Sequence, residues 1–209
     1  MSGDSKFFLG VVIAAVLVIG GVILFSGDKK SVGDNVEIDT NIGQKLGPDD
    51  AKVKIVEFGD FQCPACQAAA KPFHQLQKDN ADVQLIFRHF PLTNLHPNAE
   101  PSSLAAFAAA EQGKFWEMYA LLYERQTEWQ GSSSAADVFA GYAGLLGLND
   151  GKFKADQSSD AAKKAVKADL DYGLSIDVDQ TPTFFINGKR ITGVLSAEEW
   201  QAQLEEARK

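Results

Sequence analysis

The sequence predicts an α/β fold in which a βαβ unit and a ββα unit share one mixed central sheet around a helical insertion. Three observations lead to it. Two β-branched apolar stretches, 52–58 and 83–90, flank a segment of helical character. From about residue 98 to 175 the apolar side chains fall at helical spacing. Two short strand-like stretches then flank Asn187-Gly188, a strong signal for a tight hairpin, and an amphipathic segment follows them.

The elements follow in chain order. Residues 1–6 form a short tail, and 7–25 (FFLGVVIAAVLVIGGVILF) are apolar or glycine without a break. At the helical rise such a stretch spans roughly 28 Å, about a bilayer's hydrocarbon thickness, and it reads as a transmembrane anchor. A cleaved signal peptide is the alternative, but its apolar core is about 7–15 residues long and a small-x-small site should follow. A buried soluble helix is the other, and it should show some polar face. The anchor reading makes the chain a single-pass protein of the cell membrane. Lys6 and the amino group on one side nearly balance Lys29 and Lys30 on the other, so charge does not orient it. Only the cysteine chemistry below places the domain outside the cytoplasm. Residues 26–50, rich in Gly, Asp, Lys and Asn, read as a tether with a possible edge strand at 36–38.

The folded domain is expected over 51–209. The stretch 52–58 is its first strand, and 63–78 a helix with Pro72 inside it. The second strand, 83–90, ends at Pro91, and a right-handed crossover makes these two strands parallel. In the insertion, about 98–175, Leu104, Phe107, Ala108, Phe115, Met118, Tyr119 and Leu122 define helical faces, with further helices near 135–146 and 160–174. Residues 183–186 and 190–192 form the hairpin. Ser196 and Glu199 make a capping box for the last helix, which shows Trp200 and Leu204 on one face.

Composition excludes several functions. A net charge of −8 argues against nucleic acid as a partner. The two cysteines of the chain lie in one C-P-A-C run, and its three histidines show no H-x3-H spacing. A structural zinc site needs four ligands, so no metal and no cofactor are expected.

The C-P-A-C run carries the chemistry. Cys63 sits where a strand gives way to a helix, at the N-cap or in the first turn, where free backbone N–H groups and the helix dipole favour a thiolate. Pro64 suits the first helical position, where its missing N–H costs nothing. Cys66, three residues on, shares the helix face and can close a small disulfide ring. A substrate thiolate attacking Cys63 would release Cys66, and a second substrate thiol would then resolve the mixed disulfide. In the reducing direction Cys63 attacks and Cys66 resolves. The plain alternative is two buried, inert cysteines.

The stretches VKIVEFGDFQCPAC, VQLIFRHFPL, EQGKFWEMYALLYE and QTPTFFINGKRITG resemble the DsbA-like branch of the thioredoxin superfamily. They spread over most of residues 47–208, and the first and last are the more specific. The resemblance implies a thioredoxin fold with a helical insertion, in agreement with the order of elements above. It implies that Glu57 is the buried acid that moves protons to and from the buried cysteine. It implies that Pro182 is a cis-proline facing the disulfide, and that Thr181 helps hold a substrate strand beside Pro64 and Ala65. An ordinary strand glutamate is the alternative for Glu57. One departure is Ala65, where the best-known oxidase of the family has histidine, so a higher Cys63 pKa and a less oxidising couple are expected than in that protein.

Other residues read more plainly. His89 suits a surface or packing position and His96 a loop, while Phe115 and Trp116 suit the core or a domain junction. Asp60 and Gln62 could shape the entrance to Cys63, but both also suit a loop. The expected activity is thiol–disulfide exchange on cysteines of exported, unfolded polypeptides, chiefly as a dithiol oxidase. A membrane redox partner would recycle the pair, and the chain would act as a monomer. A reductase or isomerase running the exchange backwards is the first rival, and a tethered chaperone or soft-metal module the second.

Overall fold

The computed structural model describes residues 32–209. It contains a six-stranded sheet in the order β1-β6-β5-β3-β4-β2, formed by β1 (Val32–Asn35), β2 (Gln44–Leu46), β3 (Val53–Gly59), β4 (Val83–His89), β5 (Thr183–Ile186) and β6 (Lys189–Thr192). The central pair β3 and β4 is parallel, and every other pairing is antiparallel. The βαβ crossover between them is α1 (Pro64–Asp79), which runs through Pro72 without ending.

Strand β3 is buried along almost its whole length because both faces of the sheet are covered. Alternation sends Val53, Ile55 and Glu57 to one face, where Ile55 meets Phe73 of α1 and Trp200 of α8 (Ala197–Ala207) in the larger core. Val56 and Phe58 point to the other face and join Ile86, Phe90, Val178 and Phe185. Glu57 therefore lies on the α1 side by register, and the sheet leaves it no route to water.

The insertion comprises α2 (Ala99–Ala110), α3 (Phe115–Glu124), α4 (Gln126–Trp129), α5 (Ala135–Leu145), α6 (Asp150–Ser158) and α7 (Asp160–Ser175). Helix α2 is alanine-rich on every side and packs against α3, α5, α6 and α7, as a helix apolar all round must. Helix α7 crosses the opposite sheet face. It approaches so closely that a Cβ on Gly173 would come within 2.8 Å of the Phe90 ring. Arg88 of β4 donates to Asp169 of α7 at 2.8 Å, and the same carboxylate accepts the His89 amide at 3.0 Å. The guanidinium also lies 4.2 Å from the Tyr172 ring centroid. Helices α4 and α6 have no counterpart in the sequence reading: α4 is a single turn, and α6 buries only Phe153, so neither carries an apolar periodicity.

The closing unit is as expected. Asn187 and Gly188 both take positive φ, 46° and 92°, which a two-residue primed hairpin turn requires. Ser196 and Glu199 complete the reciprocal capping box that starts α8.

Two expectations need correction. The tether is not free of the domain: β1 pairs with β6 and β2 with β4, so strands lie at 32–35 and 44–46 and not at 36–38. A short edge strand needs only an unpaired ladder beside it, which composition does not reveal. The single-pass cell-membrane location with an extracytoplasmic catalytic domain is withdrawn as well. Among the described residues no helix is long and apolar enough to cross a membrane, and the expected span 7–25 lies outside them.

Asp169→Ala should destabilise the domain by about 3–5 kcal/mol, because it strands the buried Arg88 charge. Replacing both partners together, Arg88→Met with Asp169→Leu, should cost clearly less. Urea unfolding of the three variants against the unsubstituted protein measures both.

Candidate active site

Strand β3 runs into α1 through the loop 60–63, and the cysteines sit at that junction. Cys63 is the N-cap of α1 with extended backbone, and Pro64 follows in the first turn. Because a proline there needs no hydrogen-bond acceptor, the amides of Ala65 and Cys66 are left facing Cys63. Both cysteines are free thiols, with Cys63 7% exposed and Cys66 fully buried. Pro64 is exposed and Ala65 half-buried beside them.

The Thr181–Pro182 bond is cis and lies against this helix start. The Cys63 thiol donates to the Thr181 carbonyl at 3.5 Å. The Thr181 hydroxyl is buried without a hydrogen-bond partner of its own, near enough to the sulfur to favour its charged form. Pro182 is held in turn by its carbonyl, which accepts the Gly193 amide at 2.9 Å.

These neighbours split the two sulfurs. A hydrogen bond from the Cys66 thiol, reinforced by the Thr181 side chain and the amides of Cys66 and Ala65, brings Cys63 down from 9.0 to about 5 despite its burial. Burial, the hydrogen bond that Cys66 gives to Cys63 and the nearby charges of Cys63 and Glu57 push Cys66 far up, opposed by the Asp60 backbone. One sulfur is thus an anion at neutral pH and the other holds its proton.

Glu57 is fully buried. Burial lifts it from 4.5 to about 8, with a hydrogen bond from Tyr119 working against the rise and the Cys63 charge adding to it. The Tyr119 hydroxyl donates to Oε2 at 3.3 Å, and Oε1 has no partner within the protein. Glu57 and Cys66 are close enough to interact electrostatically. A carboxyl in this setting can exchange a proton with Cys66 near neutral pH.

The structure thus gathers Cys63, Cys66, Glu57, Thr181, Pro182, Pro64 and Ala65 around one helix start. It adds residues that sequence reasoning did not assign. Tyr119 was placed only as an apolar helical position, and nothing in a helical pattern separates a core tyrosine from one that meets a carboxylate. Gln126, buried in α4, donates to the carbonyls of Phe61 at 2.8 Å and Cys63 at 3.2 Å. No motif marked it. Other expectations are resolved by packing. His89 is a core residue among Phe61, Phe87 and Phe115, and burial lowers it from 6.5 to about 4. Trp116 is a junction residue: it stacks on His74 of α1 and donates to the Lys45 carbonyl of β2 at 2.9 Å.

Two predictions follow from the charge pattern. Cys66→Ala should raise the Cys63 pKa from about 5 towards 9, since it removes the largest stabilising contact, with Cys66→Ser falling between; thiolate absorbance against pH reads this directly. For Glu57 the folded pKa is raised, so its contribution to stability is present below about 4.5 and is lost as pH rises through about 8. In the disulfide form, where Cys63 does not titrate, Glu57→Gln should flatten that decline and leave the variant more stable by a few kcal/mol at the alkaline end. Unfolding midpoints across this range check it.

The profile of a family described as thioredoxin matches residues 40–206. Among solved structures the chain is similar to oxidised BdbD from Bacillus subtilis, at 22% identity and a TM-score of 0.73 over 87% of this chain and 99% of that one. It is also similar to a thioredoxin-like oxidoreductase from Silicibacter pomeroyi, at 24% identity and a TM-score of 0.68 over 81% and 94% of the two chains. These likenesses are of fold. Among curated relatives it is 36% identical to Na(+)/H(+) antiporter NhaA 1 of Salinispora arenicola over 82% of this chain and 26% of that protein. With NhaA 3 of Salinispora tropica it shares 37% over 78% and 24%. The chain spans about a quarter of the length of these relatives, a share that lends membrane anchoring of this chain no support. With four-fifths of its length inside the matched profile, the chain belongs to the thioredoxin family.

Proposed function

We propose that the chain is a thiol–disulfide oxidoreductase working through Cys63 and Cys66, with cysteine-bearing polypeptides as substrates. One observation carries this reading: Cys63, at the N-cap of α1 and against the cis Thr181–Pro182 bond, stands beside fully buried Cys66, a setting that lowers the pKa of the first thiol and raises that of the second. Inert core cysteines would both be raised by burial.

In the oxidising direction a substrate thiolate attacks Cys63 of the disulfide. A bond forms between the two sulfurs, the Cys63–Cys66 bond breaks, and Cys66 leaves as a thiolate. Cys66 takes a proton from the neutral Glu57 carboxyl, which the Tyr119 hydroxyl orients. A second substrate thiolate then attacks the substrate sulfur of the mixed disulfide, and Cys63 departs as a thiolate. The substrate loses two electrons and the pair gains them. Thr181 and Pro182 border the site where the substrate backbone would lie, next to the exposed face of Pro64 and half-buried Ala65.

The dithiol oxidase reading is favoured because a stabilised Cys63 thiolate stabilises the reduced pair and so makes the disulfide a better oxidant. Without an imidazole at Ala65 the thiolate rests on Cys66, Thr181 and backbone amides. Its pKa of about 5 lies above the value of about 3.5 known for the strongest oxidant of this superfamily, consistent with a milder couple. The reductase or isomerase reading remains the same exchange with a different electron partner.

The equilibrium potential of the pair in graded glutathione buffers decides the direction. A value of roughly −120 to −180 mV is the expected result, and one near −270 mV would assign the chain as a reductase. Cys63→Ser should abolish exchange, and Cys66→Ser should accumulate a mixed disulfide at Cys63. A Cys63→Ser protein that retained full function would sink the redox reading.

A further inference from the structure

The loop that carries Cys63 is gripped from outside the sheet by a carboxylate that takes no part in the exchange. Asp60 follows β3 directly and is fully buried. Its side chain accepts the Gln62 amide at 2.8 Å and the Leu92 amide at 3.0 Å, and Oδ2 lies 2.7 Å from Nδ1 of His96. Its backbone faces the other way, towards the sulfurs. The carbonyl accepts the Cys63 amide at 3.1 Å and the Tyr123 hydroxyl at 3.3 Å. The Asp60 backbone also acts on Cys66, where it opposes the rise in pKa. One end of this residue therefore holds the segment 92–96, and the other end meets both cysteines.

Gln62 repeats the arrangement one step nearer the pair. Its side-chain Oε1 accepts the Asn98 amide at 2.6 Å, and its side-chain Nε2 donates to the Gln130 carbonyl at 2.7 Å. Asn98 in turn donates to the carbonyls of Trp129 and Ser132 at 3.1 and 2.9 Å. The loop 60–63 is thus tied to the segment after β4 and to the insertion by side chains alone. Among the ring and carboxylate partners, His96 retains 19% side-chain exposure while the Asp60 carboxylate has none. It can be replaced without opening the core.

We infer that Asp60 and His96 form a positioning pair that sets the reactivity of the Cys63–Cys66 couple by fixing the backbone of residues 60–63 against the start of α1. The inference rests on the exchange reading above. Without His96, Oδ2 of Asp60 loses a donor that buried surroundings cannot replace, and the carboxylate must shift towards the Leu92 and Gln62 amides. That shift carries the Asp60 backbone with it, and Cys66 loses support for its negative charge. Cys66 then becomes a poorer leaving group from the disulfide. Cys63, whose amide is held by the Asp60 carbonyl, moves off the amides at the start of α1, so that its thiolate, and with it the reduced pair, loses stability relative to the disulfide.

The test uses the full chain with His96→Leu, His96→Ala and His96→Asn. The asparagine side-chain amide can donate to Asp60 where the imidazole nitrogen did, and the other two side chains cannot. The readouts are the glutathione equilibrium constant, the rate of disulfide opening by dithiothreitol, and the melting temperature of each redox form. His96→Leu and His96→Ala should shift the equilibrium towards the disulfide by about fivefold, the equivalent of one ordinary hydrogen bond, and slow the opening similarly. His96→Asn should stay close to the unsubstituted protein in both. The inference is overturned if His96→Leu and His96→Ala lower both melting temperatures equally and leave the equilibrium and rate unchanged, for the pair would then be a fold staple only. Failure of the unsubstituted protein to exchange with glutathione at all would overturn the underlying reading instead. His96→Ala, the smaller change, keeps the comparison open should His96→Leu not fold.

Discussion

A single negative charge at the start of α1 organises this molecule. Cys63 is 7% exposed, and burial alone would keep its thiol protonated. What reverses the balance is a ring of donors: the Cys66 thiol, the Thr181 side chain and two amides freed by the helix start and by Pro64. Each donor comes from a different structural cause. The amides follow from helix geometry, Cys66 from its spacing on the same helix, and Thr181 from the loop before β5. The sheet order places β5 directly beside β3, which is why that loop reaches the end of the strand that leads to Cys63.

The same burial that threatens the thiolate equips its neighbours. Cys66 and Glu57 lie on the α1 face of a sheet whose two sides are both covered, and neither meets solvent. Two acidic groups that cannot both be charged there are suited to pass one proton between them. Register alone puts Glu57 on this face, since a shift of one residue along β3 would turn it towards Phe90 and Val178. The carboxyl and the buried sulfur are therefore matched by a property of the strand as a whole.

The helical insertion closes the site and does more than cover it. Tyr119 meets Glu57, Tyr123 meets the Asp60 carbonyl, and Gln126 holds the carbonyls of Phe61 and Cys63. Tyr119 and Tyr123 also pack on Phe61, which stacks on Phe87 of β4 at 5.0 Å. The insertion is anchored at its far end by the buried Arg88–Asp169 pair on the other side of the sheet. Its helices thus embrace the sheet, and the tyrosines that flank the sulfurs are held by aromatic packing with little freedom to move away.

Much of the fold and part of the site were legible because they rest on local rules. Strand and helix positions follow from periodicity, the hairpin from Asn187-Gly188, and the start of α8 from Ser196 and Glu199. The strands at 32–35 and 44–46 escaped notice because an edge strand is defined by the ladder beside it. By itself the sequence determined the order of the main elements and the proximity of the two cysteines, since two cysteines three apart at a strand–helix junction meet wherever that helix forms. The resemblance supplied Glu57, Thr181 and Pro182 as candidates without placing them. Only the tertiary structure decided which groups surround the sulfurs: Thr181 lies 118 residues from Cys63, Tyr119 lies 62 from Glu57, and His96 lies 36 from Asp60. Contacts at such separations arise when independent elements pack, and the hydrogen bonds that lower one sulfur's pKa and the burial that raises the other's exist only once they have.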